Sequence, residues 1–199
     1  MASLPYATLD QFDETDQFDE MTDPCEELKA LIRRPQIAAS MNSDRLLAHA
    51  PAIGGSVLRM IHTILANADV DFALRELAIL RIAKRCRARR AWIQHAAIAR
   101  SLGMSNAKIA ALEQGDTHAG FFSERERAVL AFTDEVLDGP CVSDRAFNEA
   151  QKELSPCELA ELLLTIGYFR MISGLLTTLD IELDAPCGGE LLELASEIA

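Results

Sequence analysis

Beyond Pro24 the sequence never sustains the period-two alternation of a half-buried strand, while helix-opening residues recur ahead of its apolar stretches. That restricts the chain to an all-α architecture. A short helix is expected over residues 25–32, closed before Pro35. Ile53, Val57, Ile61 and Leu65 then form a stripe at helical spacing over 51–67. Asp71 is placed to cap a helix over 72–86, and the next runs to about residue 102 and stops at Gly103. Ser105 opens a helix to 113, and Ser123 with Glu126 makes a capping box for one ending near Gly139. Ser143 opens a helix to 154. Ser155-Pro156 opens a long one to about 179 that is hydrophobic on most faces.

The 199 residues, 49% of them hydrophobic, suffice for one compact domain with a core, expected over 24–185. Residues 186–199 read as a tail or short helix. No run approaches ~18 consecutive apolar residues, so no membrane span is expected. The N-terminus lacks the basic and apolar regions of a secretory signal, which leads to the expectation of a cytoplasmic protein. The five cysteines and four histidines are scattered and no C-x-x-C occurs, so the pattern indicates neither a zinc cage nor a disulfide framework. No metal or cofactor is expected.

The net charge of −12 is unevenly placed. Nine acidic residues and no basic ones lie between Asp10 and Glu27, which leaves −3 for the rest. This stretch holds a direct repeat, Asp10-Gln-Phe-Asp-Glu-Thr and Asp16-Gln-Phe-Asp-Glu-Met. Residues 1–23 read as a solvated, disordered tail, or as an acidic peptide that docks through Phe12 and Phe18. Conversely, Arg75, Arg81, Lys84, Arg85, Arg87, Arg89, Arg90 and Arg100 face a single acid, Glu76. That cluster suits a solvated or intersubunit face, or an anion site. A nucleic-acid surface is not expected, because the chain is acidic overall and no aromatics interleave with the arginines.

Two polar residues stand out on apolar faces. Glu76 shares a helical face with Ala73, Ile79, Leu80 and Ala83, and no Lys or Arg lies at i+3 or i+4 to pair it. His95 shares a stripe with Ala88, Ala91, Trp92, Ala99 and Leu102. A lone imidazole there would read as a satisfied core histidine. A carboxylate and an imidazole on consecutive helices can instead share a proton, which general acid–base chemistry requires.

Glu76-Leu-Ala-Ile-Leu-Arg-Ile-Ala, Trp92-x-x-His95 and Gly103-x5-Ile109, with Gly167-Tyr-Phe-Arg-Met171 and Leu179-x3-Leu183, resemble the carboxymuconolactone decarboxylase and alkylhydroperoxidase-D-like family over about residues 40–185. The resemblance implies an all-helical homo-oligomer, trimer or hexamer, with its active site near a subunit interface. The family's peroxidase pattern, Glu-x11-Cys-x2-Cys-x3-His, would place Ala88 and Ala91 at the cysteine positions and His95 at the histidine. Decarboxylase-like relatives carry Tyr-Glu-Trp where this chain has Arg90-Ala91-Trp92. Alanine has no sulfur, so thiol–disulfide chemistry at 88 and 91 is excluded. Cys86 is either a displaced peroxidatic thiol or a small buried hydrophobe.

The expected function is therefore cofactor-free acid–base chemistry on a small anionic or carbonyl-containing metabolite: decarboxylation, isomerisation or lactone chemistry. Glu76 and His95 are the catalytic candidates. Trp92, Tyr168, Arg170 and Arg85 are the substrate-binding candidates, with Arg170 expected to pair with Glu76. The alternatives are a non-catalytic binding or scaffold protein and an antioxidant working through Cys86.

Overall fold

A computed structural model describes Leu47 and residues 49–180. The expected helix over 25–32, the acidic repeat with Phe12 and Phe18, and the segment 186–199 lie outside the described residues. Among those described, seven α-helices and no strands occur. In chain order they are α1 (Pro51–Asn67), α2 (Phe72–Arg85), α3 (Arg89–Ser101), α4 (Asn106–Gln114), α5 (Glu124–Asp138), α6 (Asp144–Glu153) and α7 (Pro156–Thr178). The described residues divide into two compact units, one of those up to 63 with 178–180 and the other of 64–177. In the first, Gly54 begins the close packing of α1 on the preceding turn. A Cβ there would sit 2.5 Å from the Leu47 carbonyl oxygen, so only glycine fits.

The second unit is built around α2. Ten consecutive residues, Leu74 to Ala83, are buried, so α2 is covered on every side. It packs against α3, α4 and α5, and α5 also packs against α6. Leu77 and Leu80 of α2 meet Ala96 and Ala99 of α3, Ile109 and Leu112 of α4, and Leu130 of α5 in one apolar cluster. The short turn between α2 and α3 lets Ala83, Ala88 and Ala91 approach closely.

Helix starts follow the side chains that satisfy orphan backbone N–H groups. The Asp71 carboxylate accepts from the N–H of Ala73 and Leu74 at 2.9 and 3.1 Å. Ser105 caps α4 and Ser143 caps α6. The Ser123–Glu126 capping box is present, with bonds of 3.2 and 2.8 Å. A second box stands at α7. The Ser155 N–H donates to Glu158 at 2.8 Å and the Glu158 N–H to the Ser155 hydroxyl at 3.2 Å. Gly103 (φ 86°) takes the left-handed conformation that ends α3.

Two buried arginines are held in different ways. Arg75 is fully buried, and its Nη1 and Nη2 donate to the carbonyls of Ile64 and Leu65 at 2.5 and 3.2 Å. It thereby caps the C-terminal turn of α1 and lies over the Phe72 ring, 4.6 Å from its centroid. Arg81 makes a two-pronged bond to Asp134 of α5, at 2.7 and 2.9 Å.

α7 reaches the length and mean hydropathy (1.5) of a membrane-crossing helix, which counting uninterrupted apolar runs does not register. Of that window, 44% is buried within the fold. Leu159, Leu162, Ile166, Phe169 and Leu176 form its inner face, while Leu163, Leu164 and Met171 remain about half exposed on the outer one.

Candidate active site

Glu76 stands on the second turn of α2 and His95 on the second turn of α3. The helices are joined by a short turn, so residues 19 apart in sequence come to face one another. Glu76 Oε2 and His95 Nδ1 are 2.8 Å apart in a buried setting. A carboxylate can only accept, so with Glu76 ionised the Nδ1–H donates and Nε2 is left with its lone pair. The Glu76 side chain is wholly enclosed, whereas the His95 side chain retains 11% exposure. Glu76 Oε1 is buried and makes no hydrogen bond among the described residues. An unused acceptor in such a place is costly, ~1–3 kcal/mol, unless something donates to it.

Phe169 of α7 completes the wall. Its ring meets His95 edge-on, with centroids 5.0 Å apart and an 87° angle between the planes. Tyr168, buried, stacks edge-on against Phe169 at 5.3 Å. Trp92 is half-buried and touches both apolar clusters of α2 and α3. Of the sequence candidates, Glu76, His95 and Tyr168 thus belong to one neighbourhood, with Trp92 one turn from His95.

Arg170 does not join it. The expected Arg170–Glu76 pair is absent: Arg170 is exposed on α7 and donates to the Val136 carbonyl at 3.4 Å, while Glu76 is held by His95. The next residue to Phe169 on a helix points about 100° away, and the buried face takes Phe169. Arg85 is bound to carboxylates of α5, at 2.7 Å to Asp134 and also to Asp138. Asp138 and Asp134 hold its guanidinium above the usual arginine range against a desolvation that opposes them. The arginine cluster also departs from a uniformly solvated face, since Arg90 and Gln94 are buried.

The positions expected for thiols are filled by Ala88, which is the N-cap residue of α3, and Ala91 in its first turn, both buried. Cys86 is the C-cap of α2 and half-buried. Burial pushes its thiol pKa up, with Arg170 and Arg85 opposing more weakly. That is the reverse of an activated peroxidatic thiol.

Phe169 and Arg75 escaped the sequence reading. The helical register of α7 (Leu162, Ile166, Phe169, Ser173) carries the signal for the first. Arg75 beside Glu76 looks like one more member of a basic run. A cavity of about 600 Å³ lies elsewhere, between the α4–α5 connection, α5 and α6. Its lining includes His118, Arg127, Asp134, Glu135, Arg145 and Lys152, and none of the Glu76–His95 neighbourhood. Its walls are charged, with only Ala128 and Ala131 apolar, unlike the apolar clefts that take small organic ligands. The chemistry of the buried pair outweighs the size of that groove.

No protein-family model and no curated sequence matches the chain. Solved structures do. The alkylhydroperoxidase AhpD core of a peroxidase-related protein from Ralstonia eutropha JMP134 superposes with a TM-score of 0.68 at 13% identity, covering 98% of this chain and 96% of that one. A peroxidase-related protein from Silicibacter sp. TM1040 gives 0.69 at 12% identity, covering 86% and 91%. The debrominase Bmp8, as a cysteine-to-alanine variant in complex with 2,3,4-tribromopyrrole, gives 0.68 at 15% identity, covering 94% and 98%. The chain therefore has the AhpD-like all-α fold.

Proposed function

We propose that the protein is a cofactor-free enzyme of the carboxymuconolactone decarboxylase type, moving a proton on a small anionic or carbonyl-containing metabolite. The observation that carries this reading is the enclosed Glu76–His95 pair at 2.8 Å with Glu76 Oε1 unused. His95 Nε2 takes a proton from carbon or oxygen of the substrate and returns it. Glu76 fixes the tautomer and stabilises the imidazolium that forms meanwhile, as a positioning residue. Phe169 meets the imidazole edge-on, and Tyr168 backs the Phe169 ring. Debrominase chemistry on the same fold supports turnover of a small organic molecule, and Ala88 and Ala91 turn the reading from thiol to proton chemistry.

The proposal includes self-association of this chain, as trimer or hexamer. The half-exposed Leu163, Leu164 and Met171 on the outer face of α7 support it. Sedimentation equilibrium showing a stable monomer at micromolar concentration would contradict it.

The test of function is turnover on a panel of small carboxylated lactones and keto acids. His95→Gln and Glu76→Gln should each lower turnover at least ~10²-fold. Because the two act as one unit, the double variant should be little worse than either single. Melting curves on the same proteins separate catalysis from folding. Variants whose activity falls only with the folded fraction would contradict the reading in favour of a non-catalytic binding protein.

A further inference from the structure

The scattered cysteines conceal a convergence that the fold creates at the other end of α7. Cys157 and Glu161 lie at i and i+4 on its first turns, so their side chains stand on one face. Asp69, in the connection between α1 and α2, meets them there. The Cys157 Sγ, one Glu161 oxygen and one Asp69 oxygen all lie within 4.8 Å of one another. We propose that Asp69, Cys157 and Glu161 form a binding site for a zinc-class divalent cation, with water in the fourth position.

Geometry supports this directly. Zinc bonds of ~2.3 Å to sulfur and ~2.0–2.2 Å to oxygen in a tetrahedron set neighbouring donors ~3.3–3.7 Å apart. The Cys157 Sγ already stands 3.8 Å from Glu161 Oε1. Rotation of the exposed Asp69 and Cys157 side chains closes the rest.

A second observation is independent of that spacing. Glu161 Oε2 accepts the N–H of Val70 at 3.1 Å across 91 residues of sequence. This bond fixes the carboxylate and leaves Oε1 turned to the thiol. A metal-ligating carboxylate is held in this way by a neighbour on its other oxygen. The same bond ties the Asp69–Val70 segment to α7, so the third ligand arrives already positioned.

The electrostatics agree. The Cys157 thiol stands beside two carboxylates, those of Asp69 and Glu161. Arg75 interacts electrostatically with Glu161, but its guanidinium is bound to the Ile64 and Leu65 carbonyls. A divalent ion would release the thiol proton to solvent and neutralise the gathered charge. One thiolate with two carboxylates selects borderline zinc or cobalt over magnesium and calcium, which take oxygen alone. Asp69 and Cys157 are exposed, leaving the fourth position open to water.

The experiment uses the full chain, reduced and stripped of metal by chelation. Zinc, cobalt and magnesium are titrated by calorimetry, and cobalt also by absorption. The expected result is one zinc equivalent bound, a thiolate-to-cobalt charge-transfer band, and no magnesium uptake. Cys157→Ser should abolish the band and weaken zinc at least ~10-fold, and Asp69→Asn should weaken it by a similar factor. At a hundredfold excess over its dissociation constant, zinc should raise the melting temperature of the wild type by ~5–10 °C and that of Cys157→Ser by no more than about half as much. Zinc bound equally by wild type and by a folded Cys157→Ser variant would overturn the proposal by placing the metal elsewhere on the chain. So would a wild type that takes up no zinc.

Discussion

Replacing Arg75 by Met removes a charge that no water reaches, and the structure sets the size of the effect. Arg75 Nη1 is the partner of the buried Ile64 carbonyl and Nη2 that of the partly buried Leu65 carbonyl. Both belong to the last turn of α1, where no intrahelical donor remains. Losing the first strands a buried acceptor, ~2–3 kcal/mol; losing the second costs ~1 kcal/mol, because solvent can replace the donor. Methionine fills most of the volume, so the packing term is small. The sum is ~3–4 kcal/mol, or a fall in melting temperature of ~6–16 °C for a chain of this size. Arg75→Lys keeps the charge but reaches one carbonyl, and should fall between. Thermal melts of both variants, with Arg87→Met as an exposed control inside ~0.5 kcal/mol of wild type, decide the matter. An Arg75→Met protein melting within ~2 °C of wild type would refute the reasoning, since it would mean the buried carbonyls need no donor.

Other outcomes follow from single residues. Arg87 holds a left-handed φ of 55° in the turn between α2 and α3, so Arg87→Gly should stabilise by ~0.5–1 kcal/mol in urea unfolding. The Glu126 carboxyl, held by Lys108 and Ser123 against desolvation, and that of Glu158, held chiefly by the Ser155 N–H, titrate below their ordinary value of 4.5. As pH falls the unfolded chain therefore binds those protons first, so their stabilisation is full above about 4.5 and is lost as pH descends through the lowered folded values. Acid-unfolding curves of Glu126→Gln/Glu158→Gln should be shallower through that window; an unchanged curve would contradict the capping account. Cys86, with its raised pKa, should alkylate more slowly than a free thiol at neutral pH and speed up only in alkali, and Cys86→Ser should leave peroxide consumption unchanged.

Much of this was legible in the sequence because caps and periodicity are local. Asp71, Ser105, Ser123 and Ser143 each open the helix that their residue type announces. The Glu76–His95 pairing was legible for a related reason: two helices joined by a short turn fold back on each other, so a polar residue on each apolar face finds the other. Arg170 misled because a charge in an apolar helix was assumed to need an internal partner, whereas the outer face of α7 offers solvent. Arg75 misled in the opposite direction. Its partners are backbone carbonyls, which leave no trace in side-chain identity. Asp69, Cys157 and Glu161 could not be joined from spacing, since the contact between the α1–α2 connection and α7 is a product of tertiary packing.

The central claim is that Glu76 holds His95 with its proton on Nδ1 and its base on Nε2. Nitrogen-15 NMR of the imidazole reads this without any substrate, from two-bond couplings and the shifts of the two ring nitrogens. The account predicts that the neutral ring of His95 is the Nδ1–H tautomer in the intact protein. In a folded Glu76→Leu variant that preference should relax toward the mixture of a free imidazole. An Nε2–H tautomer in the intact protein, or a tautomer unmoved by the loss of Glu76, would contradict it.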